Sequence, residues 1–178
     1  MLLGLISDTH GHLTELRQAA RRLVDEFHVD AIVHLGDDST DADEIEGIGV
    51  DIISVPGLFE ERYRNSDMEN RKIVEFDGVP VLLTHTPVAD SHDRPGDINP
   101  TDAVMDGDVK AVFYGHTHHA DMQEKHGAVY VNPGHLNPRD NRGEGMSFAV
   151  VEVKPQKMTV RIVELAGGVR EEKMFPVG

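Results

Sequence analysis

Seven residues able to ligate a divalent metal stand at the ends of five short apolar runs. Asp8 and His10 follow LLGLIS, Asp37 follows AIVHLG, His85 follows VPVLLT, His116 and His118 follow AVFYG, and Asn132 closes VYV. Imidazole and carboxylate donors without thiolate suit borderline to hard ions such as Mn²⁺, Fe²⁺, Ni²⁺, Zn²⁺ or Mg²⁺, and one aspartate can bridge two of them. The chain has no cysteine, which removes sulfur-rich zinc ribbons, iron–sulfur clusters, disulfide frameworks and thiol nucleophiles.

Each motif alone has a bland reading. Asp8 in DTH can cap the next helix beside a surface His10. Asp37 in LGDD can be an ordinary turn, with Asp38 capping or supporting it. A lone histidine is more often structural or solvated. Three strand-end histidines, two of them paired in GHTH, shift the balance toward a shared site. His28, His34, His92, His119 and His126 are assigned to surface or core.

The elements that must position these groups follow from periodicity. Residues 2–7 read as a buried strand, and 12–27 as a helix with one apolar face through Leu13, Leu16, Ala20, Leu23, Val24 and Phe27. Strands at 31–34 and 51–55, with a short acidic helix at 41–46 between them, complete a βαβαβ rhythm, which argues for parallel pairing. Hairpins follow at 71–84 around Asp77-Gly78, at 122–131 around His126-Gly127 and at 146–164 around Pro155. A polar loop at 87–99, a helix at 100–105 and a strand at 111–114 fill the interval. The expected fold is α/β (α+β): two packed sheets of mixed strands with helices outside. In such sheets, strand ends are where loops gather side chains from distant segments.

With 178 residues, 39% hydrophobic and 28% charged, the chain reads as one globular domain, 1–178. The first apolar run is broken by Asp8 and has no basic start, so it reads as a strand and not a signal peptide. No stretch is long enough to cross a bilayer, so a cytoplasmic protein away from membranes is expected. The net charge of −15 argues against nucleic acid as a partner.

DTH, GDD, LTH, GHTH and NPG, in that order, resemble the calcineurin-like metallophosphoesterase family, especially its small single-domain prokaryotic phosphodiesterases. The resemblance spans Asp8 to about Arg139. It implies a four-layer sandwich and two divalent ions, Mn²⁺ or Ni²⁺ ahead of Zn²⁺, Fe²⁺ or Mg²⁺. Carried over by position, Asp8, His10, Asp37 and His118 would hold one ion, and Asp37, His85 and His116 the other.

Two departures stand out. Leu58 follows Gly57 where the family has an asparagine ligand, and leucine cannot ligate; Glu60, Glu61 or water would have to replace it. His135 follows NPG where serine is common, so its imidazole is expected toward substrate. Glu60 and His135 are therefore the candidate catalytic acids, beside metal-bound water, and Asn132 and Arg139 the candidate substrate contacts. Arg142, Arg62 and Arg64 are further candidate phosphate clamps.

The implied activity is hydrolysis of a small phosphodiester by water activated between two metals. The alternative is a catalytically weak metal-binding scaffold or interaction protein, motivated by Leu58. Homo-oligomerisation is left open.

Overall fold

The computed structural model describes residues 1–65 and 68–178. Two mixed sheets pack face to face. The first takes β1 (Leu2–Ile6), β2 (Ala31–His34), β3 (Asp51–Ser54), β9 (Ser147–Lys154), β10 (Lys157–Glu164) and β11 (Val169–Pro176), in the order β11-β10-β9-β1-β2-β3. The second takes β4 (Arg71–Phe76), β5 (Val79–Thr84), β6 (Ala111–Phe113), β7 (Asp121–Lys125) and β8 (Ala128–Asn132), in the order β4-β5-β6-β8-β7.

Strands β1, β2 and β3 are parallel, as are β5, β6 and β8, and every hairpin partner is antiparallel. Both expected turns carry the left-handed backbone that a two-residue hairpin needs, with φ of 49° at Asp77 and 53° at His126, each followed by glycine.

Alternation assigns the two faces of each sheet. Leu3, Leu5, Val33, Val81, Leu83, Phe113, Val131, Val151 and Val160 fill the space between the sheets. Ile6, Ile32, Phe148 and Val150 point the other way, onto Leu16, Ala19, Ala20 and Leu23 of α1 (Leu13–Asp25). On the far side Leu82 and Val112 meet Ala103 and Val104 of α3 (Pro100–Met105). The result is helix, sheet, sheet, helix. Each fully buried Leu, Val or Phe contributes about 1.5–3 kcal/mol, so the central strands, apolar on both faces, anchor everything attached to their ends.

The structure corrects several element assignments. The acidic segment expected as a helix at 41–46 is a 3₁₀ segment, Ser39–Ile45. A one-turn helix, α2 (Glu61–Arg64), lies between β3 and β4, where the sequence reading places no element. The eight-residue edge strand β11 went unread because VREEKMFP buries only Phe175 and so has no two-residue alternation. Charged side chains on an edge strand guard it against pairing with another chain. Among the described residues, no helix is long and apolar enough to cross a membrane.

Candidate metal centre

Four strand-end loops converge at one end of the sandwich. Ligand atoms of Asp8, His10, Asp37 and His118 all lie within 4.8 Å of one another, and so do those of Asp37, His85 and His116. Asp37 belongs to both groups. Asp8, His10 and Asp37 come from the ends of β1 and β2, whereas His85, His116 and His118 come from the ends of β5 and β6, so each group draws on both sheets.

The backbone is bent to do this. Asp8, His10, Asp37, His116 and His118 have φ between 48° and 68°, in the left-handed region, as does Asp38 at 62°. Such conformations cost about 1–3 kcal/mol each and concentrate where function overrides local preference; Asp and His tolerate them better than most residues.

Close packing holds the loops in register. A Cβ on Gly57 would lie 2.1 Å from Asp37 Oδ1, and one on Gly115 would lie 1.9 Å from Ser7 Oγ and 2.7 Å from Asp8 Oδ2. Glycine alone permits these approaches. Ser7 Oγ donates to Asp8 Oδ2 at 2.5 Å, and the His116 amide donates to both Asp8 oxygens at 3.2 and 3.1 Å.

Behind the first two loops a buried polar relay fixes their spacing. The Gly36 amide donates to His34 Nδ1, which leaves the other ring nitrogen to Thr9 Oγ1 at 3.3 Å. Thr9 Oγ1 donates to Asp41 Oδ2 at 2.7 Å, and Asp41 also accepts from the Gly11 amide. Burial lowers the His34 pKa and keeps the ring neutral, as this relay requires.

Each histidine is aimed by its second nitrogen. His85 Nδ1 donates to the Leu35 carbonyl at 2.8 Å, which presents Nε2 toward Asp37 Oδ1 at 3.3 Å. His118 Nδ1 donates to Asp140 Oδ2 at 2.5 Å, which turns its Nε2 toward Asp8 Oδ1 at 3.2 Å and His10 Nε2 at 3.1 Å. Imidazoles that ligate metals are oriented in this way by carbonyls and carboxylates.

Buried His85 Nε2 has no hydrogen-bond partner among the described residues, since its approach to Asp37 lacks hydrogen-bond geometry. An orphaned buried lone pair is costly unless something else takes it. Together with two Nε2 atoms facing each other and sulfur-free donors, it fits a divalent cation.

The electrostatics agree. Burial works to lower the His85 pKa, but the Asp37 and Asp8 carboxylates overcome it and leave His85 above its ordinary value. His118 shows the same contest, won by Asp8 and Asp140. His116 is lowered by burial and by His85, which leaves it neutral. For Asp37, burial acts to raise the pKa, and His85, His10 and His116 bring it below the usual carboxylate range.

The other candidates stand apart from the two groups. Glu60 is a clamp: Oε1 accepts from the Ser39 and Gly57 amides at 3.0 and 2.5 Å, and Oε2 accepts from Ser39 Oγ. Neither Glu60 nor Glu61 joins the clustered donors, so among the described residues neither replaces the ligand missing at Leu58, itself 3% exposed.

His135 is enclosed by protein groups. It is buried and stacked on His118 at 5.5 Å, its Nδ1 accepts from the Asn137 amide and its Nε2 lies 3.3 Å from the Glu144 carbonyl. With both nitrogens engaged by the protein it is placed to support His118, on which it stacks.

Asn132 is likewise a brace. Its Nδ2 donates to the Gly115 carbonyl and Thr117 Oγ1, and its Oδ1 accepts from the Gly134 amide, which fixes the GHTH loop and leaves nothing for substrate. The exposed Arg139 engages through its own amide, to Asn137 Oδ1. Arg142, by contrast, donates through Nη1 to the carbonyls of His116 and Thr117 and places its charge on the site. Of the other clamps, Arg62 lies 3.7 Å from Asp43 Oδ2.

Comparison with known proteins supports the same reading. A model of the calcineurin-like phosphoesterase superfamily domain matches residues 1–156. The phosphodiesterase MJ0936 of Methanocaldococcus jannaschii is 28% identical over 154 residues, covering 75% of this chain and 83% of that protein. A protein described as a predicted phosphoesterase from Streptococcus pneumoniae superposes with a TM-score of 0.74 at 21% identity, covering 98% of this chain and 97% of the other. Zinc-complexed Vps29 from Entamoeba histolytica shares the fold with a TM-score of 0.67 at 19% identity over 99% of both chains. With its family match running through all four loops that carry the clustered donors, the chain belongs to the calcineurin-like phosphoesterase superfamily.

Proposed function

We propose that the chain is a metal-dependent phosphodiesterase that hydrolyses small phosphodiesters with water as the nucleophile. The carrying observation is the pair of donor groups that share Asp37, with the buried, partnerless Nε2 of His85 in one of them. Asp8, His10, Asp37 and His118 would hold one ion, and Asp37, His85 and His116 the second, with Mn²⁺ or Ni²⁺ the ions to try first. Such ions supply Lewis acidity toward phosphate oxygens and make water nucleophilic near neutral pH.

The chain supplies the positioning. Leu35 and Asp140 fix the tautomers of His85 and His118, so that both present lone pairs inward. Ser7 and the His116 amide fix the Asp8 carboxylate in place. Arg142 offers a guanidinium for an unesterified phosphate oxygen. A bond from water oxygen to phosphorus forms as the bond to the leaving alcohol breaks, and no side chain is needed as covalent nucleophile. The acidic surface discourages long polyanions and leaves a small diester as the substrate.

The test is reconstitution. Metal-stripped protein is given Mn²⁺, Ni²⁺, Mg²⁺ or Zn²⁺ and assayed with chromogenic mono- and diesters. Diester hydrolysis that chelator and His116→Ala both abolish is the expected result. Turnover that survives chelation, or none with any ion, would sink the proposal.

A further inference from the structure

Phe59 is the one exposed phenylalanine among the described residues, with 69% of its surface open to solvent. Together with His10, Asp37, Asp38 and Glu60 it lines a hollow of about 210 Å³ at the edge of the donor groups. Leaving a large apolar ring in water beside a charged cluster gains nothing for folding.

The turn that carries the ring is also fixed. Glu60 accepts from the amides of Gly57 and Ser39, and the Glu60 amide returns to the Gly57 carbonyl at 3.1 Å, which closes the turn that carries Phe59. His92 meets Phe59 edge-on, with ring centroids 5.4 Å apart and an interplanar angle of 80°. The His92 amide and Nδ1 both engage Asp90 Oδ1, at 2.9 and 2.7 Å, and the Asp90 amide donates to Asp93, which is paired with buried Arg71. Two loops from opposite sheets therefore fix an aromatic corner at the mouth of the site.

A rigid, exposed aromatic face stacks on any planar π-system and is indifferent to its hydrogen-bonding pattern. We infer that Phe59, buttressed by His92, selects phosphodiesters that carry a flat aromatic substituent, an aryl or nucleobase group, over those that carry only alkyl groups. This deepens, and rests on, the phosphodiesterase reading above. Phe59 would be a specificity determinant that touches the part of the substrate remote from phosphorus.

The experiment compares two diesters with the same leaving group, bis(4-nitrophenyl) phosphate and methyl 4-nitrophenyl phosphate, on the Mn²⁺-loaded full chain. The wild type is expected to favour the first in kcat/KM by about tenfold, mostly through KM, with the ratio collapsing in Phe59→Ala and returning in Phe59→Trp. Phe59→Leu, which keeps apolar bulk without a π-face, should behave like alanine. Calorimetry with hydrolysis-resistant phenyl, nucleoside and methyl phosphonate monoesters reads binding apart from turnover and separates aryl from nucleobase as the source. Tighter binding of either aromatic ligand, lost in Phe59→Ala, supports the inference even if no diester is turned over, in which case the hydrolase reading alone fails. A wild-type ratio near one with equal phosphonate affinities, or a preference that Phe59→Ala leaves intact, overturns it.

Discussion

The imidazole of His118 lies between two carboxylates, with Nδ1 at 2.5 Å from Asp140 and Nε2 turned toward Asp8. Asp140 is not one of the clustered donors, yet it decides which ring nitrogen is free. Asp140→Asn should therefore weaken metal binding by about 10–100-fold with the fold intact. Metal titration followed by calorimetry, with far-ultraviolet circular dichroism as the control, measures this. Unchanged affinity would remove Asp140 from the site.

The two donor groups are unequal. One holds four residues and the other three, and Leu58, next to Gly57, brings no ligand atom. The second ion should bind the more weakly, and Leu58→Asn should tighten it on the order of tenfold, the scale of one added polar contact. Stoichiometry measured at rising Mn²⁺ concentration would show the second step move; an unmoved step would mean the amide does not reach.

Gly57 packs against the carboxylate common to both groups. Gly57→Ala should push Asp37 aside, lowering occupancy of both groups together and costing about 1–3 kcal/mol of stability from overpacking. Urea unfolding and metal titration on the same sample test it, and loss confined to one ion would contradict the shared role of Asp37.

Arg71 is 1% exposed at its side chain and pairs with Asp93, which also accepts from the Tyr63 hydroxyl at 2.5 Å. Burial acts to raise the Asp93 pKa, but Arg71 and Tyr63 overcome it and hold the carboxyl below its ordinary value. A depressed folded-state pKa contributes stability above the unfolded value of about 3.9, lost as pH falls through the folded value. Asp93→Ala should thus cost about 3–5 kcal/mol near neutrality by stranding a buried guanidinium. The gap from wild type should narrow in acid; a constant gap in urea unfolding from pH 7 to 3 would refute this.

Much of this architecture is legible in the residues. Parallel strands show as continuous apolar runs, hairpins as Asp-Gly and His-Gly pairs, and the donor loops as polar residues placed directly after buried strands. What was not legible concerns satisfaction. Asn132, His135 and Glu60 have the side chains of reacting groups, and only coordinates reveal that neighbouring amides and carbonyls already occupy them. Asp140 and Asp93 sit in irregular loops without periodicity, so nothing in their spacing announces the partners they hold. Strand β11 escaped because an edge strand with charges on both faces leaves no alternating trace.

Since every donor group takes atoms from both layers of the sandwich, a bound cation would act as a rivet across the seam at that end. Sliding of one layer over the other would have to break ligand bonds there, whereas the opposite end is joined by side-chain packing and by the ion pair of the Met1 ammonium with Asp77. Amide exchange in the loops after β1, β2, β5 and β6 would then report ion occupancy directly, and chelation would loosen the molecule from that end first.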